Sequence, residues 1–249
     1  MKIAFLFLVV NGIFHEPCWV EYFKNHHDRC TIYVHSKKGV PTTSFFKQFE
    51  LDKRIATTWH NTMKAQIELL RVALQDPANE KFIFLSESTI PLQSFESGYS
   101  YLLSHPFSEF RVFPNRHTER HYHSIKKENV YKNSQWIILN RKHAEMMVAD
   151  STMINMITSY PFDNEHYPST FLASHHVLEE IVQHDCTFVL WPEDSADSAH
   201  PHMFNDLSSD PYTDFLVQEI LTRNSLFARK FSNTCDVTSL IEYAKRCGM

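Results

Sequence analysis

Short apolar runs alternate with amphipathic segments through the first half of the chain. Residues 3–10, 30–36 ("CTIYVHS") and 81–86 ("KFIFLS") predict buried strands, because they are short and rich in β-branched and aromatic residues. Between the last two lies "HNTMKAQIELLRVALQD", whose apolar positions recur at helical spacing: Met63, Ile67, Leu70 and Leu74. The alternation predicts an α/β fold with a mostly parallel central sheet flanked by helices.

The last third predicts further helices and strands. Pro168 suits the first turn of a helix whose apolar side includes Phe171, Leu172, Leu178 and Ile181. Glu165 then lies just before the start of this helix. Two strands ("QWIILN" and "CTFVLW"), a helix near residues 214–222 and a closing helix near residues 237–246 complete the pattern.

Composition limits the size and the partners of the fold. The chain has 249 residues, only four glycines and no linker-like stretch, so one domain is predicted over residues 1–249. A formal net charge of −5 argues against nucleic-acid binding, which needs a basic surface. Any anionic ligand must therefore be met by local cations.

The cysteines and the apolar segment at the N-terminus indicate the cellular compartment. Five dispersed cysteines without a CxxC motif favour a reducing environment. The first apolar run is short, with no small-residue cleavage site after it, and no stretch is long enough to span a bilayer. These features predict a cytoplasmic protein without a transmembrane segment, and they leave peripheral membrane association open.

The familiar short motifs are absent. The sequence contains no GxGxxG, no GxxxxGK[ST] and no GxSxG, which argues against the corresponding nucleotide-binding and hydrolase classes. Its sixteen histidines include neither HExxH nor a Cys/His ligand spacing. We therefore expect scattered histidines and no metal site.

Three groups of residues remain as candidates for chemistry. In α/β sheets ligands bind beyond the carboxyl ends of the strands, where this sequence carries Asn11, His35, Ser36, Ser86 and Glu87. Glu165 is either a solvated carboxylate beside a helix start or a general base. The pair Arg229 and Lys230, framed by phenylalanines in "SLFARKFS", has two interpretations: surface charges with buried stems, or cations that hold a diphosphate.

Several stretches together resemble the core-2/I-branching β-1,6-N-acetylglucosaminyltransferase family, which includes the peptide O-xylosyltransferases. They are, in family order, "KIAFLFLV", "YVHS", "TTWHNTMKAQIELLRVAL", "FIFLSESTIPL", "NSQWIILNR", "DNEHYPSTFL" and "LFARKF". The resemblance implies a GT-A-like nucleotide-diphosphate-sugar transferase fold that works with inversion and without the usual DxD metal motif. No DxD occurs here, and "SESTIP" stands where it would be expected.

The resemblance also implies roles for individual residues. Glu165 would be the catalytic base, and Lys230 with Arg229 would neutralise the diphosphate of a UDP-sugar, so that no metal cofactor is needed. The resemblance also implies two sets of binding residues. The donor's nucleoside and phosphates would be contacted by Asn11, His35, Ser36, Ser86 and Glu87. The sugar or the acceptor would be contacted by Gln135, Trp136 and Arg116.

Two departures from the family pattern qualify this expectation. Asn164 replaces the usual Asp before the base, and a second phosphate-binding Arg has no clear counterpart, so that His202 or Arg229 would substitute for it. UDP-N-acetylglucosamine is the simplest donor to expect. One alternative is a xylosyltransferase or another family member with a different donor specificity. The other is a catalytically weak homologue that binds a sugar or a nucleotide.

Overall fold

The computed structural model describes residues 1–114, 125–191, 200–222 and 225–246. The strands within these ranges are β1 Lys2–Val9, β2 Cys30–Ser36, β3 Asn79–Ser86, β4 Ile90–Pro91, β5 Ser108–Glu109, β6 Val112–Pro114, β7 Tyr131–Asn133, β8 Ile138–Asn140, β9 Ile181–Val182, β10 Thr187–Val189 and β11 Phe227–Arg229. The α-helices are α1 Glu16–Phe23, α2 Met63–Ala73, α3 Phe95–Leu103, α4 Arg141–Ala149, α5 Met153–Ile157, α6 Tyr167–Ser174, α7 Thr213–Thr222 and α8 Thr238–Arg246.

Six strands form the central sheet in the order β2-β1-β3-β8-β5-β9. The pairs β1–β2, β1–β3 and β5–β9 are parallel, whereas β3–β8 and β5–β8 are antiparallel. The α/β class is confirmed, and the sheet is mostly parallel as predicted, because five of its six strands run in one direction and only β8 runs against them. Strand β8 follows β7 with no helix between them. It therefore does not end a strand–helix–strand crossover, the connection that makes two strands parallel.

The central strand β1 is buried on both faces, which explains its unbroken apolar run. Ala4 and Leu6 point into a core that also contains α2 and α4. Phe5 and Phe7 point into the opposite core, against Trp19 of α1. Helices therefore cover both faces of the sheet, as the alternation predicted.

A second, three-stranded sheet has the order β10-β11-β4. Its β11 runs parallel to β10 and antiparallel to β4, which follows β3 after a short turn. Two of the predicted ligand-binding stretches, "SESTIP" and "FARKF", thus become neighbours in space, with Ala228 opposite Ile90. A β6–β7 hairpin completes the strand pairing.

Helix α6 begins at Tyr167, directly after Glu165 and His166, and it carries Pro168 in its first turn as predicted. The predicted length was wrong, because the helix ends at Ser174. His176 takes a left-handed backbone conformation with φ of 57°, which an α-helix cannot continue. The apolar residues beyond it lie elsewhere: Leu178 in a 3-10 turn and Ile181 in β9.

No helix within the described segments combines the length and the apolar character needed to cross a lipid bilayer.

Candidate active site

A cleft of about 840 Å³ opens beyond the carboxyl ends of β1 and β3. Its wall contains seven of the residues that the sequence predicted for the site: Ser86, Glu87, Gln135, Trp136, Glu165, Arg229 and Lys230. These positions are up to 144 places apart in the sequence, counted from Ser86 to Lys230. The fold therefore brings the predicted base and the predicted phosphate-binding cations into one cavity.

Glu165 ends a 3-10 turn, Asp163–Glu165, that is tied down from two sides. The Oδ1 atom of buried Asp163 accepts the backbone N–H groups of Thr62 and Met63, at 2.9 and 3.1 Å, at the start of α2. Burial raises the pKa of this Asp163 carboxyl, and the two N–H donors act in the opposite direction. On the other side Asn133 donates a hydrogen bond to the backbone oxygen of Asn164 at 3.0 Å. The position of Glu165 is thus fixed by backbone contacts rather than by its own side chain.

The Glu165 side chain is 26% exposed and faces the cleft. Its Oε2 atom lies 3.0 Å from Nζ of Lys132 on β7, a cation that is itself 43% exposed. Sequence reasoning missed Lys132, because a lysine in a polar stretch carries no motif. The pairing holds the carboxylate in place while leaving it accessible from the cavity.

The cations lie on and just after β11, and the flanking phenylalanines are core residues. Phe227 and Phe231 are 1% and 0% exposed. The ring of Phe231 stacks on Phe204 at 5.3 Å, and the ring of Phe227 stacks on Trp19 at 5.9 Å. The two anchors fix the segment between them, so that Arg229 and Lys230 are presented to the cleft.

Arg229 does not face solvent, since only 9% of it is exposed. Its guanidinium carbon lies 4.7 Å from the ring centroid of Trp136, within cation–π distance. Burial lowers the pKa of Arg229 to about 10, and the nearby Glu87 acts in the opposite direction. One face of Trp136, which the resemblance implied as a sugar or acceptor contact, is thus taken by Arg229.

Lys230 and Glu87 complete the charged group around Arg229. Burial and the adjacent Arg229 lower the pKa of Lys230, whereas burial raises the pKa of Glu87 against the pull of both cations. Two cations and one carboxylate give this group a net charge of +1. Such a surplus of positive charge suits a phosphate-bearing ligand.

The other predicted donor contacts at the first two strands do not line the cleft. Asn11 is exposed, whereas His35 and Ser36 are each 1% exposed. Nε2 of His35 accepts the backbone N–H of Ile55 at 2.9 Å, and the Ser36 hydroxyl accepts that of Gly39 at 2.9 Å. These two side chains stabilise their own loops, while neighbouring positions in the chain form the cleft wall.

The remaining candidates have the following positions. The hydroxyl of Ser86 is hydrogen-bonded to that of Thr89 at 2.8 Å. His202 lies 2.7 Å from Asp210 and does not line the cleft, so that Arg229 is the better placed substitute for the missing arginine. Arg116 lies outside the described residues.

Two further tryptophans at the cleft were not singled out by the sequence. Trp59 and Trp191 line it, although each is 54% exposed, which is unusual for so large an apolar side chain. The Trp59 ring contacts Phe162 at 5.5 Å and His200 at 5.0 Å. Exposed indole faces in a polar cleft are suited to stacking against sugar rings.

The fold and the cleft define the general class, an α/β protein with its cleft beyond the carboxyl ends of its strands, where ligands of such sheets usually bind. The family follows from sequence, because the profile of the Core-2/I-Branching enzyme family matches residues 3–235. The chain therefore belongs to this family. The resemblance stated from the motifs is thereby confirmed.

The individual proteins that this chain resembles share 29% or less of its sequence. Glycosyltransferase BC10 of Oryza sativa subsp. japonica is 29% identical over 229 residues, covering 76% of this chain and 57% of the rice protein. A glycosyltransferase involved in the glycosylation of the major capsid of PBCV-1 matches with 13% identity and a TM-score of 0.43, over 99% of this chain and 100% of that one. The galactosyltransferase LgtC matches with 8% identity and a TM-score of 0.45, over 99% and 95% of the chains. The assignment rests on the family match.

Proposed function

We propose that the protein transfers a sugar, with inversion, from a UDP-sugar to a hydroxyl group of a glycan or other acceptor, and that it needs no metal ion for this step. The observation that carries the proposal is that Glu165, Arg229 and Lys230 line the same cleft. One carboxylate base is enough for an inverting transfer, in which the acceptor oxygen attacks the anomeric carbon opposite the leaving group. N-acetylglucosamine is the donor sugar that the family resemblance favours.

The proposed roles follow from charge and position. Glu165 removes the proton of the acceptor hydroxyl as the new bond forms. Lys230 and Arg229 stabilise the negative charge that develops on the leaving diphosphate, which a metal ion does in many other transferases. The absence of a DxD motif from the sequence supports this division of work.

The acceptor is proposed to bind at the aromatic part of the cleft. Trp59 and Trp191 offer exposed ring faces there, and Gln135 adds an amide that can hydrogen-bond to sugar hydroxyls. Trp136 is assigned a different task, because Arg229 occupies one of its faces. Its ring holds the guanidinium in the orientation that the diphosphate needs.

The base assignment is tested with Glu165→Gln, which keeps the size of the side chain and removes the carboxylate. Turnover of the donor should fall by about 10²–10⁴-fold, the usual contribution of a general base, while UDP affinity persists. Asp185→Asn is the matched control, because Asp185 is another partly exposed carboxylate in the same cleft. Full turnover in Glu165→Gln would remove Glu165 from the mechanism.

The donor and the metal requirement need separate measurements. A panel of UDP-sugars, read by donor hydrolysis and by the shift in melting temperature, should select UDP-N-acetylglucosamine over UDP-xylose. Turnover should persist in a strong chelator. Activity that disappears in the chelator and returns only with manganese would contradict the role given to Lys230 and Arg229.

A further inference from the structure

A buried carboxylate, an imidazole and a thiol meet beside the cleft, which the imidazole residue, His184, also lines. Glu109, His184 and Cys186 each direct one ligand-type atom to a common point, with all three atoms within 4.8 Å of one another. The Glu109 side chain is fully buried, and Cys186 is 1% exposed. The two deeper ligands are therefore held in the protein interior and shielded from water.

The separations between these atoms match those around a tetrahedral metal ion. Oε2 of Glu109 lies 3.1 Å from Sγ of Cys186 and 3.4 Å from Nδ1 of His184, and the last two atoms are 3.6 Å apart. Zinc bonds of ~2.0–2.3 Å at tetrahedral angles place neighbouring ligand atoms about 3.3–3.6 Å apart. Only small adjustments would be needed to admit an ion.

Backbone pairing explains why the three residues meet. Glu109 ends β5 and stands opposite Val182 of β9, and His184 and Cys186 follow β9 after one and three intervening residues. The carbonyl oxygen of Cys186 then accepts the N–H groups of Leu226 and Phe227, at 2.9 and 3.0 Å. The ligand atoms are thus positioned by strand hydrogen bonds that exist without a metal.

Groups around the three residues suit a metal site as well. The Tyr101 hydroxyl is 2.8 Å from Oε2 of Glu109 and 3.4 Å from Nδ1 of His184, close to where a fourth ligand would stand. Nε2 of His105 lies 3.1 Å from the other Glu109 oxygen, so it can orient the carboxylate. His184 is 24% exposed and lines the cleft, which gives an ion a path to the site.

We propose that Glu109, His184 and Cys186 form a binding site for a zinc ion, with Tyr101 or a water molecule as the fourth ligand. A mixed sulfur, nitrogen and oxygen donor set favours zinc over magnesium or calcium, which prefer oxygen alone. On binding, the zinc–sulfur bond replaces the S–H bond and the proton leaves to solvent. The ion would join β5 of the central sheet to the segment that leads into β10, and it takes no part in the transfer reaction.

The test uses cobalt as a spectroscopic substitute for zinc. Cobalt bound to a thiolate gives an intense sulfur-to-metal charge-transfer absorption that histidine sites elsewhere on the chain cannot produce. Metal-free protein titrated with cobalt should show this band, with one equivalent bound, and zinc should displace the cobalt and raise the melting temperature. Absence of the band, or a melting temperature that zinc leaves unchanged, would show that the cluster is only a hydrogen-bonded network.

Cysteine variants assign the band to the site. Cys186→Ser should lose it, whereas Cys30→Ser and Cys235→Ser, which also replace buried thiols, should keep it. Circular dichroism confirms that each variant is folded. His184→Asn serves as a second variant, since His184 is partly exposed and its loss disturbs the core less. A band that survives in both Cys186→Ser and His184→Asn would overturn the proposal, whatever the outcome of the transferase assays.

Discussion

Replacing Lys230 by methionine tests whether Arg229 and Lys230, the cations at the end of β11, bind a diphosphate. The substitution keeps the apolar stem of the side chain and removes only the charge. It leaves Arg229 balanced by Glu87, so the net charge of the group falls from +1 to zero. Loss of a hydrogen bond from a charged donor costs ~1.5–3 kcal/mol, which corresponds to about a 10–150-fold increase in Kd.

The assay compares UDP with uridine by isothermal titration calorimetry. Lys230→Met should weaken UDP by this factor and uridine by less than about twofold, because only UDP carries the phosphates. Lys37→Met is the control for general charge effects, since Lys37 is an exposed lysine of the same cleft that follows β2 rather than β11. Equal losses for UDP and uridine would refute the phosphate contact.

A charge-rescue variant makes the same prediction sharper. Adding Glu87→Gln to Lys230→Met removes the remaining carboxylate and returns the net charge of the group to +1, now carried by Arg229 alone. UDP affinity should recover in part. If it falls further instead, Glu87 contributes by positioning the cations rather than by its charge, and the electrostatic explanation is wrong.

Three further predictions concern the anchors, the aromatic wall and the pH dependence of stability. In denaturant titrations Phe231→Ala should lower the free energy of unfolding by ~3–5 kcal/mol, as for other buried phenylalanines. The control Phe215→Ala, at a 53% exposed position, should change it by less than about 0.5 kcal/mol. Trp191→Ala should raise KM for the acceptor and leave the Kd of UDP unchanged; a weaker UDP complex would place Trp191 at the donor. Burial lowers the pKa of His143, so below about pH 6.5 the unfolded chain binds more protons than the folded protein. The free energy of unfolding should therefore fall as the pH falls. His143→Gln should reduce this pH dependence, and His27→Gln, at an exposed position, should not.

The elements that the sequence predicted well are those whose signal is local. The apolar run of β1 and the helical spacing of α2 each reflect burial of nearby residues, and both lie where expected. The early end of α6 was missed, because it depends on the left-handed conformation of a single residue, His176, that composition does not reveal. The antiparallel direction of β8 could not be predicted, because strand direction depends on the path of the chain and not on the strand itself.

The same distinction applies to the site. Glu165 and Lys230 could be named from motif resemblance, yet Lys132 and the exposed Trp59 could not, because their relevance comes only from the walls that face each other across the cleft. The cluster of Glu109 and Cys186 is the extreme case, since these residues are 77 positions apart and match no ligand spacing. Sequence reasoning predicted no metal site for that reason.

The position of the charged residues relative to the two sheets supports the proposal that this cleft works without a catalytic metal. Glu165 sits on a turn tied to α2, which packs against the central sheet, whereas Lys230 follows β11 of the smaller sheet. Hydrogen bonds hold the turn that carries Glu165, and strand pairing holds the segment before Lys230, so their orientation would cost little when the donor binds. A metal ion would have to be held by comparable carboxylates, and here the carboxylate nearest the cations, Glu87, is already balanced by Arg229 and Lys230. From the same charge balance we expect UDP affinity to change with single substitutions at Glu87, Arg229 and Lys230.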